Sequence, residues 1–296
     1  MAWRGLHLSK PSRLSLADGQ IVVGQDDGEV RLALEDIAWI VLDTPHATLT
    51  SALLAACMSA GIAIIATDET HTPSGIALPF HRHFRQGEIA QAQVAVGAPL
   101  KKRLWQGVVR AKIMNQAAAL DALGRSGAAP LREMARLGSG DPANVEARAA
   151  RDYWSKLWPE FRRGDDSDRR NKLLNYGYAV VRSGVARALV ACGLLPAFGL
   201  MHASATNAFN LADDIVEPFR PFVDMLAWQI ADNGRPGKEE LSVEDRRTMA
   251  GILLKEARAG TENVTLLVAT ERAAESLVRA IESGSPATLA LPSLDL

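Results

Sequence analysis

The sequence predicts an α+β protein, with a small β-rich N-terminal domain over residues 1–80 and a larger all-helical domain after it. Two observations carry this reading. Residues 1–80 hold short apolar runs divided by Asp18-Gly19 and Asp27-Gly28, a spacing that suits hairpins. Beyond Phe80-His81-Arg82-His83-Phe84-Arg85 the apolar spacing turns helical and stays so to the end. Residues 81–86 therefore read as a linker and 87–296 as the helical domain. With 296 residues, 48% of them hydrophobic, the chain can bury a substantial core.

Taken in order, the strand candidates are 13–16, 20–23 and 29–34, then a more buried run at 37–42. A short helix over 51–59, ended by Gly61, precedes a buried strand at 62–67 and an edge strand at 75–79. Helices follow over 87–96, 100–123 and 128–137. After the Gly138-Ser139-Gly140 break, Asp141 suits an N-cap and Pro142 a first helical position. The helix it opens puts Glu146, Ala149, Ala150 and Tyr153 on one face. The alanines admit a close neighbour and half-bury Glu146, and a buried carboxylate needs a partner or a cation. Residues 159–168 form a polar loop. A nearly all-round apolar helix then runs from Leu173 to Cys192, the pattern of a central helix. Gly177 within it costs about 1 kcal/mol relative to alanine, so it marks close packing. Helices at 209–231, 242–257 (capped by Ser242) and 265–283 complete the domain. The tail 284–296 reads as weakly structured, either disordered or docked on a partner.

Composition narrows the function classes. Cys57 and Cys192 are the only cysteines and lie among small or apolar residues, which fits a reducing, cytoplasmic setting with buried thiols. There is no apolar signal core at the N-terminus, and no run approaches the ~18 apolar residues of a membrane span, so no membrane role is expected. The net charge of −1 argues against a simple polyanion binder, but its distribution does not. Residues 1–80 hold 4 basic and 9 acidic side chains, residues 81–172 hold 18 and 10, and the balance from 173 onward is −4. A basic middle is the local patch that phosphate binding needs, and ordinary solvated helix faces produce it too.

The densest chemistry lies in Met201-His202-Ala203-Ser204-Ala205-Thr206-Asn207-Ala208-Phe209-Asn210-Leu211-Ala212-Asp213-Asp214-Ile215-Val216-Glu217-Pro218-Phe219-Arg220-Pro221. On a helix Asp213 and Asp214 lie four and three residues before Glu217, so all three can share a face, and His202 folds back toward it across a break. A carboxylate face beside an imidazole outlines a hard-metal site suited to Mg²⁺ or Mn²⁺. The same pattern also describes a solvated amphipathic face. Burial of the interleaved residues and the kink imposed by Pro218 favour the metal reading.

Three blocks in order now carry a resemblance. Asn144-Val145-Glu146-Ala147-Arg148-Ala149-Ala150-Arg151-Asp152-Tyr153-Trp154, then Asn171-Lys172-Leu173-Leu174-Asn175-Tyr176-Gly177-Tyr178, then the His202 to Pro221 run resemble CRISPR-associated protein 1, the spacer-acquisition integrase. The Leu211-Ala212-Asp213-Asp214 … Glu217-Pro218-Phe219-Arg220-Pro221 form is most similar to members from type II systems. Many relatives have glycine directly after the first glutamate, where this chain has Ala147.

The resemblance implies a metal site of Glu146, His202 and Glu217, with Asp214 in support. It implies a divalent-metal-dependent endonuclease and integrase that joins protospacer 3′-hydroxyl ends to the CRISPR repeat by attack on phosphodiesters. Arg162, Arg163, Arg169 and Arg170 are the first candidates to track the DNA backbone. Tyr153, Tyr176 and Tyr178 suit either base stacking or the core. The resemblance further implies a homodimer built through the β-rich domain, a larger complex with CRISPR-associated protein 2, and cooperation with the type II effector nuclease and a DNA-end-binding accessory protein. Two other readings stand beside it: a catalytically silent DNA-capture scaffold, and a helical metal-dependent phosphohydrolase.

Overall fold

The computed structural model describes residues 2–294. Its first part comprises β1 (Arg4–Leu8), β2 (Ser12–Ala17), β3 (Gln20–Gln25), β4 (Gly28–Ala33), β5 (Ile37–Leu42), β6 (Ala47–Leu49), α1 (Ser51–Ala60), β7 (Ala63–Thr67) and β8 (Pro73–Ala77). These form two four-stranded sheets, ordered β1-β5-β7-β8 and β4-β3-β2-β6. The β2–β3 turn is made by Asp18 and Gly19, both at positive φ, as a two-residue hairpin between right-twisted strands requires. Thr50 caps α1 through its side chain, and Gly61 ends it in the left-handed conformation. Leu14, Ile21, Ile40, Leu53, Cys57 and Ile62 fill the space between the sheets and α1.

The other face of the first sheet does not meet solvent. Trp39, Val41, Ala63 and Ile65 join the core of the helical part, and the Trp39 indole N–H donates to the Ala250 carbonyl at 3.1 Å. One face of the first sheet therefore packs into the helical core, while its other face closes the separate core of the strand-rich part.

The second part comprises α2 (Gln86–Ala95), α3 (Ala98–Ala122), α4 (Ala128–Met134), α5 (Val145–Leu157), α6 (Arg169–Ala191), α7 (Asn210–Val216), α8 (Arg220–Ile230), α9 (Val243–Ala250), β9 (Glu256–Ala259), β10 (Glu262–Thr265) and α10 (Leu266–Ser283). As its all-round apolar pattern implies, α6 is central, packed by α7, α8, α9 and α10. Among the described residues no helix is long and apolar enough to cross a membrane. Burial pushes the Cys57 and Cys192 thiols up to about 11.

Several expectations need correction. The second part is not all helical: β9 and β10 pair as an antiparallel hairpin where the sequence suggested the end of one helix and a break. β1 and β6 were not expected. α5 begins at Val145 instead of Pro142, with Asn144 left-handed before it. Asp141 still caps it, because its carboxylate accepts from the Val145 and Glu146 N–H groups at 2.7 and 3.0 Å. The tail folds onto its own chain. Ser293 pairs with Arg258 in β9, and the Leu294 N–H donates to Asn115 in α3. The last two residues of that tail lie outside the described residues.

Candidate active site

Three elements deliver the site. α5 presents Glu146 in its first turn, α3 presents Lys112 from its buried face, and the α7–α8 junction presents Glu217. That junction is a 3-10 turn, Glu217–Phe219, and the prolines explain it. Pro221 has no N–H to return to the Glu217 carbonyl, so the Arg220 N–H bonds it instead and tightens the turn. The Pro218 carbonyl, freed at the break, accepts from the Asn115 side chain at 2.7 Å. The kink expected at Pro218 thus aims Glu217 inward, where it is 6% exposed.

Lys112 Nζ lies 2.5 Å from Glu146 Oε1 and 2.5 Å from Glu217 Oε2. The Arg220 guanidinium stands 3.0 Å from Glu217 Oε1. Burial opposes ionisation of Glu217, but Lys112 and Arg220 outweigh it and hold the carboxyl below its ordinary range. Burial likewise opposes the Lys112 charge, and Glu217 and Glu146 more than restore it. Glu146 remains partly open to solvent.

His202 lies in the irregular stretch before α7 and takes its orientation from Asp214, which is fully buried in α7. Asp214 accepts the backbone N–H groups of Leu200, Met201 and His202 and sits 2.7 Å from His202 Nδ1. The Asp214 hydrogen bond raises the affinity of the imidazole for a proton, against partial burial. Trp105 meets the ring edge-on at 5.9 Å. With Nδ1 held by Asp214, the Nε2 edge is left for the site. Asp213 turns away from it, paired with Arg182 and Asn207.

The residues fit a divalent cation in donor chemistry, though not in their present arrangement. Among the described residues no group of three or more His, Cys, Asp or Glu side chains stands ready to hold one. Two carboxylates nonetheless converge on one cationic group, the Lys112 ammonium. Glu217 Oε2 is buried and is met there by the Lys112 ammonium at 2.5 Å.

The sequence model of CRISPR associated protein Cas1 matches residues 6–261. The chain belongs to the Cas1 family. It is 36% identical, over 99% of its length and 97% of the relative's, to the CRISPR-associated endonuclease Cas1 of Neisseria meningitidis serogroup C. A second such endonuclease, from Saccharolobus solfataricus, is 28% identical over 70% of this chain and 68% of its own length. Solved structures share the fold. A casposase bound to integration product superposes with TM-score 0.77 at 18% identity, covering 96% of this chain and 92% of that one. A Cas1 protein of Thermotoga maritima gives 0.73 at 16%, covering 99% and 100%.

In this Cas1 chain Glu146 and Glu217 come together, and His202 is tied to Asp214. The arginines divide. Arg162 and Arg163 are exposed on the loop after α5, although Arg163 leans on Asn171 and Asn175. Arg169 is half-buried against Asp245. Arg170 is no surface residue: it is buried, bonded to Asp168 and stacked on Phe161 at 5.0 Å. Tyr153, Tyr176 and Tyr178 are all buried, and Tyr153 and Tyr178 both donate to Asp224.

Two members of this cluster were missed in the sequence, Lys112 and Arg220. For Lys112 a signal existed. It sits three and four positions after Val109 and Val108 and one before Ile113, on the apolar face of α3. A lysine on a buried face requires carboxylate partners.

Proposed function

We propose that this Cas1 chain is a divalent-metal-dependent DNA endonuclease and integrase of CRISPR adaptation, joining protospacer 3′-hydroxyl ends to the CRISPR array by transesterification. The observation that carries this reading is the convergence of Glu146 and Glu217 on one cation position beside an Asp214-held His202. Glu146, Glu217 and His202 would hold Mg²⁺ or Mn²⁺, which when bound polarises a phosphoryl oxygen and makes a hydroxyl easier to deprotonate.

The chain's own residues do the rest. Arg220 engages Glu217 Oε1 and leaves Oε2 facing the cation position. Asp214 fixes the imidazole through Nδ1, so that Nε2 is the ring nitrogen left to face the metal position. We assign the exposed Arg162 and Arg163, with the half-buried Arg169, to neutralising a DNA backbone in a salt-dependent, sequence-tolerant way. Support for DNA and for CRISPR-associated protein 2 as partners comes from fold relatives, among them a Cas1–DNA complex and a Cas6-RT-Cas1–Cas2 complex. We assign the strand-rich N-terminal part to homodimerisation. The type II effector nuclease and a DNA-end-binding accessory protein follow from the similarity of the motifs to type II members.

The test is strand transfer and cleavage of a branched DNA in Mn²⁺ and in Mg²⁺. Glu146→Ala and Glu217→Ala are each expected to lower turnover by more than about a hundredfold, beyond the usual effect of outer-shell partners, while DNA retention survives. Persistence of activity in both variants would refute the assignment.

A further inference from the structure

We infer that Lys112 is a resident counter-ion that fills the cation position between Glu146 and Glu217 and must leave it for a divalent metal to enter. The inference rests on the metal reading above. It begins from geometry. One ammonium stands 2.5 Å from an oxygen of each carboxylate, and its side chain is 9% exposed. A small divalent cation needs those oxygens at about 2.1 Å, so cation and ammonium cannot share the gap.

Charge gives the same answer. Two carboxylates face Lys112 and Arg220, so the group is balanced as it stands. A divalent ion added with Lys112 in place would leave two uncompensated positive charges in a buried site. Arg220 cannot take the role of the mobile partner. Its guanidinium is packed over the Tyr178 ring at 4.7 Å. Lysine, a point charge on a flexible four-carbon stem, can swing. The cluster opens to solvent at Glu146, with a side chain 30% exposed, at Arg220, at 32%, and at His202, at 48%. An ammonium leaving by that side emerges where a DNA phosphate would lie.

The consequence is a coupling. Metal entry costs the Lys112 pairing when no DNA is present, and a bound phosphate gives the displaced ammonium a new partner. Metal and DNA should therefore strengthen one another's binding, and Lys112 should be the residue that links them.

The experiment measures Mn²⁺ affinity calorimetrically for native protein, Lys112→Met and Glu217→Gln, each with and without a short branched DNA. Native protein should bind Mn²⁺ about tenfold more tightly with DNA present, within the usual range of such couplings. Lys112→Met should gain about that tenfold without DNA and respond little to its addition. A variant affinity equal to or weaker than native would overturn the inference. Should Lys112→Met fail to fold, native protein decides alone: amine-reactive footprinting at Lys112 should rise on Mn²⁺ saturation, and unchanged protection would overturn the idea. If Glu217→Gln binds Mn²⁺ as well as native, the metal lies elsewhere, and the metal reading itself falls before the role of Lys112 is at issue.

Discussion

A single carboxylate, Asp214, shows how much of this site is held by one side chain. It is fully buried, receives three consecutive backbone N–H groups and orients His202. Replacing it with asparagine keeps one acceptor oxygen and turns the other into a donor facing N–H groups. Asp214→Asn should lower stability by about 1–3 kcal/mol, read by urea denaturation. It should also lower strand-transfer turnover by about 10–100-fold, the usual effect of disturbing an outer-shell partner. A variant with native turnover would show that His202 needs no such hold. At this scale Glu146, His202, Asp214 and Glu217 could be picked out in the sequence as candidates, because their chemistry stands out among small and apolar neighbours. Lys112 announced itself only as a lysine on an apolar face; its partner Glu146 is 34 residues away in sequence, and only the α3–α5 packing joins them. Arg170 misled for the opposite reason. A run of basic residues looks like surface until Asp168 and Phe161 are seen to enclose one of them.

At the scale of elements, close packing around α6 sets the position of the turn that bears Glu217. Gly177 faces α8 and α9, and a Cβ there would fall 2.5 Å from Val223 Cγ1 and 3.1 Å from Met249 Sδ. Alanine is the better helix former by about 1 kcal/mol, but the overlap must be relieved by moving α8 or α9. Gly177→Ala should therefore destabilise by about 1–3 kcal/mol, seen as a lower denaturant midpoint. A stabilised variant would mean that the helices part freely. The sequence reading anticipated this contact because a glycine in a long apolar helix has few other uses. It missed β9 and β10 because Glu256-Ala257-Arg258-Ala259 is built of good helix formers, into which the expected helix over 242–257 ran. Its strand character comes from pairing with β10 and from the returning Ser293, neither of which is local. β1 escaped because Gly5 interrupts its apolar pattern. The gap is needed, since any Cβ at Gly5 would run into the Trp39 indole.

For the whole molecule, the joint between the strand-rich and helical regions is ionic as well as apolar, and it answers to pH. Asp43, fully buried after β5, is bonded by His7 of β1 at 2.9 Å, His71 of the β7–β8 loop at 2.8 Å and Arg246 of α9 at 2.7 Å. The Arg246 partner lies 203 residues away in sequence, so no periodicity or motif could have announced it. Burial opposes ionisation of Asp43, but the bonds from His7, Arg246 and His71 prevail and hold its carboxyl below the ordinary range. The sign follows. A carboxyl depressed in the folded state stabilises it at every pH above its unfolded value, near 3.9 for aspartate. That contribution drains away as pH falls below about 4 toward the lower folded value. Asp43→Asn cannot titrate and should be less stable than native at pH 7, because it loses the charge-assisted bonds and leaves Arg246 buried without its anion. The cost should approach the roughly 3–5 kcal/mol of a broken buried pair. On acidification the two proteins should converge, because native Asp43 becomes neutral as well. Urea denaturation of both from pH 7 to pH 2 tests this. Parallel curves across that range would show that Asp43 is not the charge that joins the sheets to α9.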